Sequence, residues 1–108
     1  MVKFVRTISF SVDANSTTQV VKFVGKETET FKLIKINFDA SGNAEMVITK
    51  NNTELLRVSK SLKPSIDHGI NVDYELEPGD ELTVEIVDKS GASNSGTVYY
   101  EYEKTPRA

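Results

Sequence analysis

Alternation of apolar and polar residues is the feature that most constrains what this chain can fold into. In the segment 2–12, apolar side chains recur at every second position, with Arg6 as the one misfit. Successive side chains of a strand point to opposite faces of a sheet, so this period predicts half-buried strands. No window shows a convincing helical period. The alternating segments predict eight strands, over 2–12, 18–24, 30–39, 43–50, 53–59, 71–77, 81–88 and 97–104.

The predicted strands are short, evenly spaced and separated by clusters of Gly, Pro, Asn, Asp and Ser. That arrangement is typical of an antiparallel sandwich or barrel. The chain shows no internal repeat and no linker, so residues 1–108 are interpreted as a single domain. The predicted fold class is all-β, an eight-stranded antiparallel β-sandwich like a jelly roll. The same strands could also form an immunoglobulin-like sandwich, although the Cys…Trp…Cys hallmark of that fold is missing.

Two turns refine the predicted topology. Asn51-Asn52 suits a two-residue type I′ turn, and we expect it to set Ile48 opposite Leu55 and Val47 opposite Leu56. The dipeptide Pro78-Gly79 differs, because a hairpin there would place a glutamate against the apolar face. A type II corner that sends the strands before and after it into different sheets avoids this conflict.

Carboxylates crowd the segment 73–88, but alternation turns most of them away from the apolar face. We expect Asp73 and Glu75 on one outer surface and Glu81 and Glu85 on the other. Acid–base catalysis needs two carboxyl groups close to one bond, and these two rows cannot converge. The sequence therefore predicts solvated faces that also guard the strands against edge pairing.

Oxygen-bearing side chains in the predicted loops are weak candidates for a calcium site. Asp80, Asp88, Ser90 and Asn94 could supply some of the six to eight oxygen ligands that Ca²⁺ takes. No spacing of the EF-hand kind is present. The sequence therefore predicts no metal site and no cofactor.

Nucleophilic catalysis would have to use His68, the only histidine, with Asp67 beside it. No G-x-S-x-G elbow is present, and one histidine without cysteine makes a poor zinc site. A hydrolase that uses Asp67 and His68 is a remote alternative. We interpret His68 as an exposed loop imidazole and predict that the chain is not an enzyme.

The charge of the chain argues against two classes of partner. The net charge is −3, so no global positive field would attract nucleic acid or an anionic membrane. Lysines do alternate with Phe23 and Phe31 between residues 22 and 35, but Glu27 and Glu29 oppose a nucleic-acid face there. No apolar stretch is long enough to span a membrane, and the first residues do not have the pattern of a secretory signal.

Candidate binding residues lie near the end of the chain. The small polar run 88–96 is predicted to be a loop at one end of the sandwich, where Ser93, Asn94 and Ser95 could contact a ligand. In the last strand, Val98, Tyr100 and Tyr102 are expected on the core face. Tyr99 then stands on the outer face, where a tyrosine can serve as a contact ring for protein or sugar.

The segments "VDYELEPGDELTVEIVDKSG" and "SGTVYYEYEK" together form a strand, a Pro-Gly-Asp corner, a second strand, a polar loop and an aromatic strand. In this pattern the chain resembles the C-terminal half of small jelly-roll domains. Such domains occur in phage and archaeal-virus structural proteins, including head-decoration proteins and tail-fibre tips, in carbohydrate-binding modules, and in TNF-like domains. The resemblance implies a non-enzymatic binder or assembly piece, often trimeric. It carries over no residue role, because no short signature is shared.

The resulting expectation is a structural protein that works by surface contact, as a decoration or tail component of a virion. Its expected partners are copies of itself, in a trimer, or a capsid or tail lattice. The alternative is a carbohydrate-binding module that uses Tyr99 and Asn94 on a glycan. Outside a virion, a cytoplasmic location is expected.

Overall fold

The fold is built from strands alone among the described residues. The computed structural model describes residues 2–65 and 68–107. The strands are β1 (Val2–Val12), β2 (Thr17–Val24), β3 (Glu29–Ala40), β4 (Ala44–Lys50), β5 (Thr53–Ser59), β6 (Ile70–Leu76), β7 (Glu81–Asp88) and β8 (Asn94–Pro106). All eight predicted strands are present, with ends shifted by a few residues.

Two four-stranded antiparallel sheets stack face to face. Sheet A has the order β1-β8-β3-β6, and sheet B has the order β2-β7-β4-β5. The chain thus pairs its first strand with its last, its second with its seventh, its third with its sixth and its fourth with its fifth. This nested pairing, divided between two layers, is the arrangement of a jelly roll, so the predicted fold class is confirmed.

The core lies between the inward faces of the two sheets. Strand β7 shows why the sequence folds this way, since Leu82, Val84 and Ile86 are fully buried while the residues between them are not. Each such side chain stabilises the fold by roughly 1.5–3 kcal/mol relative to exposure. The fully buried apolar side chains of the other strands are Leu33, Ile36, Phe38, Ala44, Met46, Ile48, Leu76 and Val98.

The β4–β5 hairpin turns at Asn51-Asn52, as predicted. Both asparagines have positive φ, 50° and 69°, as a type I′ turn requires. The expected register is wrong beyond the turn, because Ile48 pairs with Leu56 and Val47 with Arg57. A bulge leaves Leu55 without a partner in β4, and that extra residue shifts β5 by one position.

The Pro78-Gly79 corner carries the chain from sheet A to sheet B. Gly79 has φ of 88°, and the amide of Asp80 donates to the carbonyl of Glu77 at 3.0 Å, which together describe a type II turn. The prediction that β6 and β7 belong to different sheets is confirmed.

The predicted loop over 88–96 is wrong at its C-terminal end, whereas the predicted strand 81–88 agrees with β7. Asp88 is the last residue of β7, and β8 begins at Asn94, so the connection is 89–93. The early start of β8 has a cause in the neighbouring chain segment. The amide of Ser41 donates to the carbonyl of Ser95 at 2.8 Å, and Gly96 pairs with Ala40 of β3.

Candidate functional site

The end of the sandwich that carries the β7–β8 connection is organised around the Asp88 carboxylate. Asp88 is only 3% exposed. Its Oδ1 atom accepts from the Ser90 hydroxyl at 2.6 Å and from the Ser90 amide at 3.0 Å. Its Oδ2 atom accepts from the amides of Asn15 at 2.8 Å and Gly91 at 3.0 Å. These donors, the Ser90 hydroxyl first, hold the pKa of Asp88 well below its usual range.

Asn94 completes this network from the first position of β8. It is 2% exposed, and its Nδ2 atom donates to Asp88 Oδ1 and to the Asn43 carbonyl, both at 3.1 Å. Its Oδ1 atom accepts from the Ser41 hydroxyl at 3.1 Å and from the Gly42 amide at 2.9 Å. The expectation that Asn94 lies in an exposed loop is wrong. Its side chain ties the β3–β4 connection to β7 and β8.

The alternation of inward and outward residues along β7 and β8 could have shown that Asp88 and Asn94 point inward. Asp88 continues the buried series of alternate residues in β7, and Asn94 stands four residues before the buried Val98 in β8. Both side chains therefore point inward, where a polar group needs internal partners. Ser93 and Ser95 are exposed beside them, as expected of residues that could contact a ligand.

The other calcium candidate, Asp80, has a similar role at the opposite end of the sandwich. Its Oδ1 atom accepts from Asn51 Nδ2 and its Oδ2 atom from the Glu77 amide, each at 2.9 Å. Lys50 Nζ lies 3.5 Å from Oδ2. These partners, Asn51 first, lower the pKa of Asp80. Asp80 thus joins the β4–β5 turn to the corner between the sheets.

Both aspartates direct their carboxylate oxygens at donors of the protein itself. Over residues 2–65 and 68–107, no three His, Cys, Asp or Glu side chains are grouped so that they could hold a metal ion. The two acidic rows lie as expected on opposite outer surfaces, since β6 and β7 belong to different sheets. Lys32 Nζ lies 3.2 Å from Asp73, and Lys22 Nζ lies 3.0 Å from Glu81.

His68 is exposed at the end of the long β5–β6 connection. Its backbone carbonyl accepts from Asn37 Nδ2 at 2.9 Å, and the same amide donates to the carbonyls of Pro64 at 3.3 Å and Ser65 at 3.0 Å. Asn37 therefore anchors this connection to β3, a role that sequence reasoning missed. Asp67, the proposed catalytic neighbour of His68, falls outside the described residues.

Tyr99 stands on the outer face of sheet A, as predicted, with 38% of its surface exposed. Val98 on the opposite face is fully buried, and Tyr100 packs against the core. Tyr99 borders an open cavity of about 170 Å³ whose lining also includes Val5, Lys35, Gly69 and Glu101. Val5, on the neighbouring strand β1, is itself 62% exposed. We call Val5 and Tyr99 together the β1 edge patch.

A second cavity, of about 290 Å³, opens between the sheets where β2 ends and β3 begins, and it was not predicted from the sequence. Phe23, Phe31 and Tyr102 form its aromatic wall, with the rings of Phe23 and Phe31 stacked at 4.7 Å and those of Phe31 and Tyr102 at 5.1 Å. Phe23 and Phe31 thus face one another between the sheets. Phe23 near the end of β2 and Phe31 near the start of β3 have inward parity in consecutive strands of different sheets, and that signal could have found this cluster.

The rim of this aromatic cavity is charged. Lys26 and Lys104 share the carboxylate of Glu29, at 4.0 and 3.1 Å respectively. Exposed ion pairs contribute little to stability, so the packed aromatic rings are the main stabilising contacts at this cavity.

Comparison with protein-family models and with curated proteins finds no match to this chain. No helix among the described residues is long and apolar enough to cross a membrane.

Proposed function

We propose that this protein is a non-enzymatic assembly component of a viral particle, a capsid decoration or tail protein, that works by surface contact. The observation that carries the proposal is the β1 edge patch. Val5 and Tyr99 expose large apolar side chains together on the outer face of sheet A, where both border the same cavity. Contiguous exposed apolar side chains mark contact sites on folded proteins more often than isolated ones do.

The two ends of the sandwich support the same proposal. Ends with free, convergent polar side chains would suit a catalytic or ligand site. Here the polar side chains of Asp88 and Asn94 at one end, and of Asp80 and Asn51 at the other, bind neighbouring loops instead. Loops fixed in this way suit a rigid module that keeps its shape on a lattice.

Self-association is the direct test. Light scattering on the pure protein over a range of concentrations is expected to give an oligomer. Val5→Ser and Tyr99→Ala should weaken it, because they remove apolar surface from the patch. Leu55→Ser is the matched control, since Leu55 is 39% exposed on β5 of the other sheet. A monomer at every concentration would argue against self-assembly.

The viral assignment has a separate test in the surroundings of the gene. Capsid or portal genes beside it would support a particle component. A neighbourhood of genes for polysaccharide breakdown would favour the second candidate below.

A carbohydrate-binding module is the second candidate, favoured by the cavity beside Tyr99. An exposed tyrosine ring next to Lys35 and Glu101 offers both a stacking surface and hydrogen-bonding groups to a sugar. A monomer that binds on a glycan array, and loses that binding in Tyr99→Ala, would favour this candidate over the assembly role.

A further inference from the structure

The jelly roll leaves four edge strands, and they differ in how well they are protected. Free edges present unpaired backbone groups, and proteins commonly interrupt them with bulges. The pairing of β2 with β7 is interrupted between Gln19 and Val21. The pairing of β5 with β4 is interrupted at Leu55, and the pairing of β6 with β3 is interrupted between Leu33 and Lys35 of β3. Strand β1 pairs with β8 without interruption from Val2 to Val12. Among the described strands, β1 is thus the one long and regular edge.

The side chains of β1 do little to keep another strand away. The strand contains neither glycine nor proline. Lysines on an edge strand usually deter pairing with another strand. Here the charge of Lys3 is paired within the molecule, because its Nζ atom lies 3.3 Å from the Glu101 carboxylate. Arg6 lies over the Phe4 ring, with its guanidinium carbon 5.2 Å from the ring centre, and its Nη1 atom donates to the Val5 carbonyl of the same strand at 3.3 Å, so a pairing strand would have to displace this contact. The edge therefore presents mainly apolar and neutral side chains to its surroundings.

We propose that β1 pairs antiparallel with β1 of a second copy of this chain, about a two-fold axis at Thr7. The inference rests on the proposed assembly function and deepens it by naming the partner and the contact. An axis at Thr7 lets all eleven residues of β1 take part. The sheets of two copies then join edge to edge into one continuous eight-stranded sheet. The contact is two-fold, so it would not by itself build the trimer that the resemblance implies.

The residues that this register sets opposite one another are compatible. Val2 faces Val12 of the second copy, and Phe4 faces Phe10, so apolar residues oppose apolar residues. Arg6 faces Ile8, and Lys3 faces Ser11, so no like charges oppose one another. An axis at Arg6 would set the two guanidinium groups face to face. An axis at Val5 would leave residues 9–12 of each strand unpaired.

Single cysteines test this register cleanly because the chain contains none. In Thr7→Cys the two introduced thiols would stand directly opposite, with Cβ atoms roughly 4.5–5.5 Å apart, which is near the range of a disulfide. Ser9→Cys is the matched control, an exposed residue on the same face whose thiols would lie roughly 14 Å apart. Under mild oxidation, Thr7→Cys is expected to double its mass on non-reducing gels, and Ser9→Cys to stay single.

A charge exchange gives an independent test that needs no oxidation. Val5 and Ser9 face one another across the axis, and both are exposed in the single chain. Val5→Lys with Ser9→Lys puts like charges opposite at two places and should abolish the dimer in light scattering. Val5→Lys with Ser9→Glu puts opposite charges there and should restore it, while circular dichroism checks that each variant is folded.

The outcomes separate this inference from the function on which it rests. An oligomeric protein in which Thr7→Cys fails to crosslink, and both charge variants behave alike, would overturn the β1 contact and leave surface assembly standing. A monomeric protein that shows no crosslink would overturn the β1 contact and self-assembly together. Crosslinking of Ser9→Cys in place of Thr7→Cys would overturn the register.

Discussion

The Nδ2 atom of Asn94 lies 3.1 Å from the Oδ1 atom of Asp88, so the first residue of β8 and the last of β7 hold each other across their connection. Through this contact, the amide of Asn15 from the β1–β2 turn and the Gly42 amide from the β3–β4 connection join one network. Asn94, a candidate ligand contact, and Asp88, a weak calcium candidate, thus bind neighbouring segments at one end of the sandwich.

Replacing Asn94 by alanine should lower the free energy of unfolding by about 2–3 kcal/mol, because it leaves buried donors and acceptors without partners. Urea denaturation followed by circular dichroism measures this change. Ser93→Ala, one residue earlier and exposed, is the control and should stay within about 0.5 kcal/mol of the parent. Equal midpoints for the two variants would refute the structural role of Asn94.

Stability should depend on pH through Asp88 and Asp80. Both have a folded-state pKa lowered from 3.8, the ordinary pKa of an aspartate side chain. Their stabilising effect is therefore fully present above pH 3.8 and is lost as the pH falls below it toward the folded-state pKa. The free energy of unfolding, measured in urea from pH 7 to pH 2, should fall at the acidic end. Asp88→Asn should flatten that fall, and an identical slope in this variant would contradict the assignment.

The aromatic residues should divide into structural and surface groups. Phe31 is 5% exposed and stacks on two other rings, so Phe31→Ala should cost about 3–5 kcal/mol of unfolding free energy. Tyr99→Ala removes a ring that is 38% exposed and should cost less than about 1 kcal/mol. Guanidinium denaturation of the two variants measures the contrast. A loss in Tyr99→Ala as large as that in Phe31→Ala would mean that Tyr99 belongs to the core.

Gly96 should not tolerate a side chain. A Cβ atom there would lie 1.9 Å from the carbonyl oxygen of Asp39, which is backbone and cannot easily move. Gly96→Ala is expected to cost about 3 kcal/mol or more. A Cβ atom at Gly91 would have no neighbour within 4 Å, so Gly91→Ala should cost only about 1 kcal/mol of unfolding free energy, for the strain of its positive φ of 76°. Thermal unfolding compares the two, and the reverse order would show that β8 lies farther from β3 than described.

Alternation along the chain was enough to predict the architecture, because side-chain parity reports which face of a strand meets the core. It placed Tyr99 outside, and it separated β6 from β7 at the Pro78-Gly79 corner. It failed where the backbone departs from a regular ladder. The bulge at Leu55 shifted a register without a signal in composition.

The candidate site was predicted less well, for a physical reason. Asp88 and Asn94 look like solvent-exposed loop residues by type, and only their spacing from buried neighbours shows that they point inward. The β1 edge patch depends on which strand lies at the margin of a sheet. That is a property of the whole topology, and no local pattern reports it.

The nested strand order has one more consequence. Each adjacent pair in either sheet joins one strand of the first half of the chain, β1 to β4, to one strand of the second half, β5 to β8. Neither half contains a ladder of its own. Cut at the Asn51-Asn52 turn, the molecule becomes two complementary fragments, and every strand pair within the single chain joins one fragment to the other.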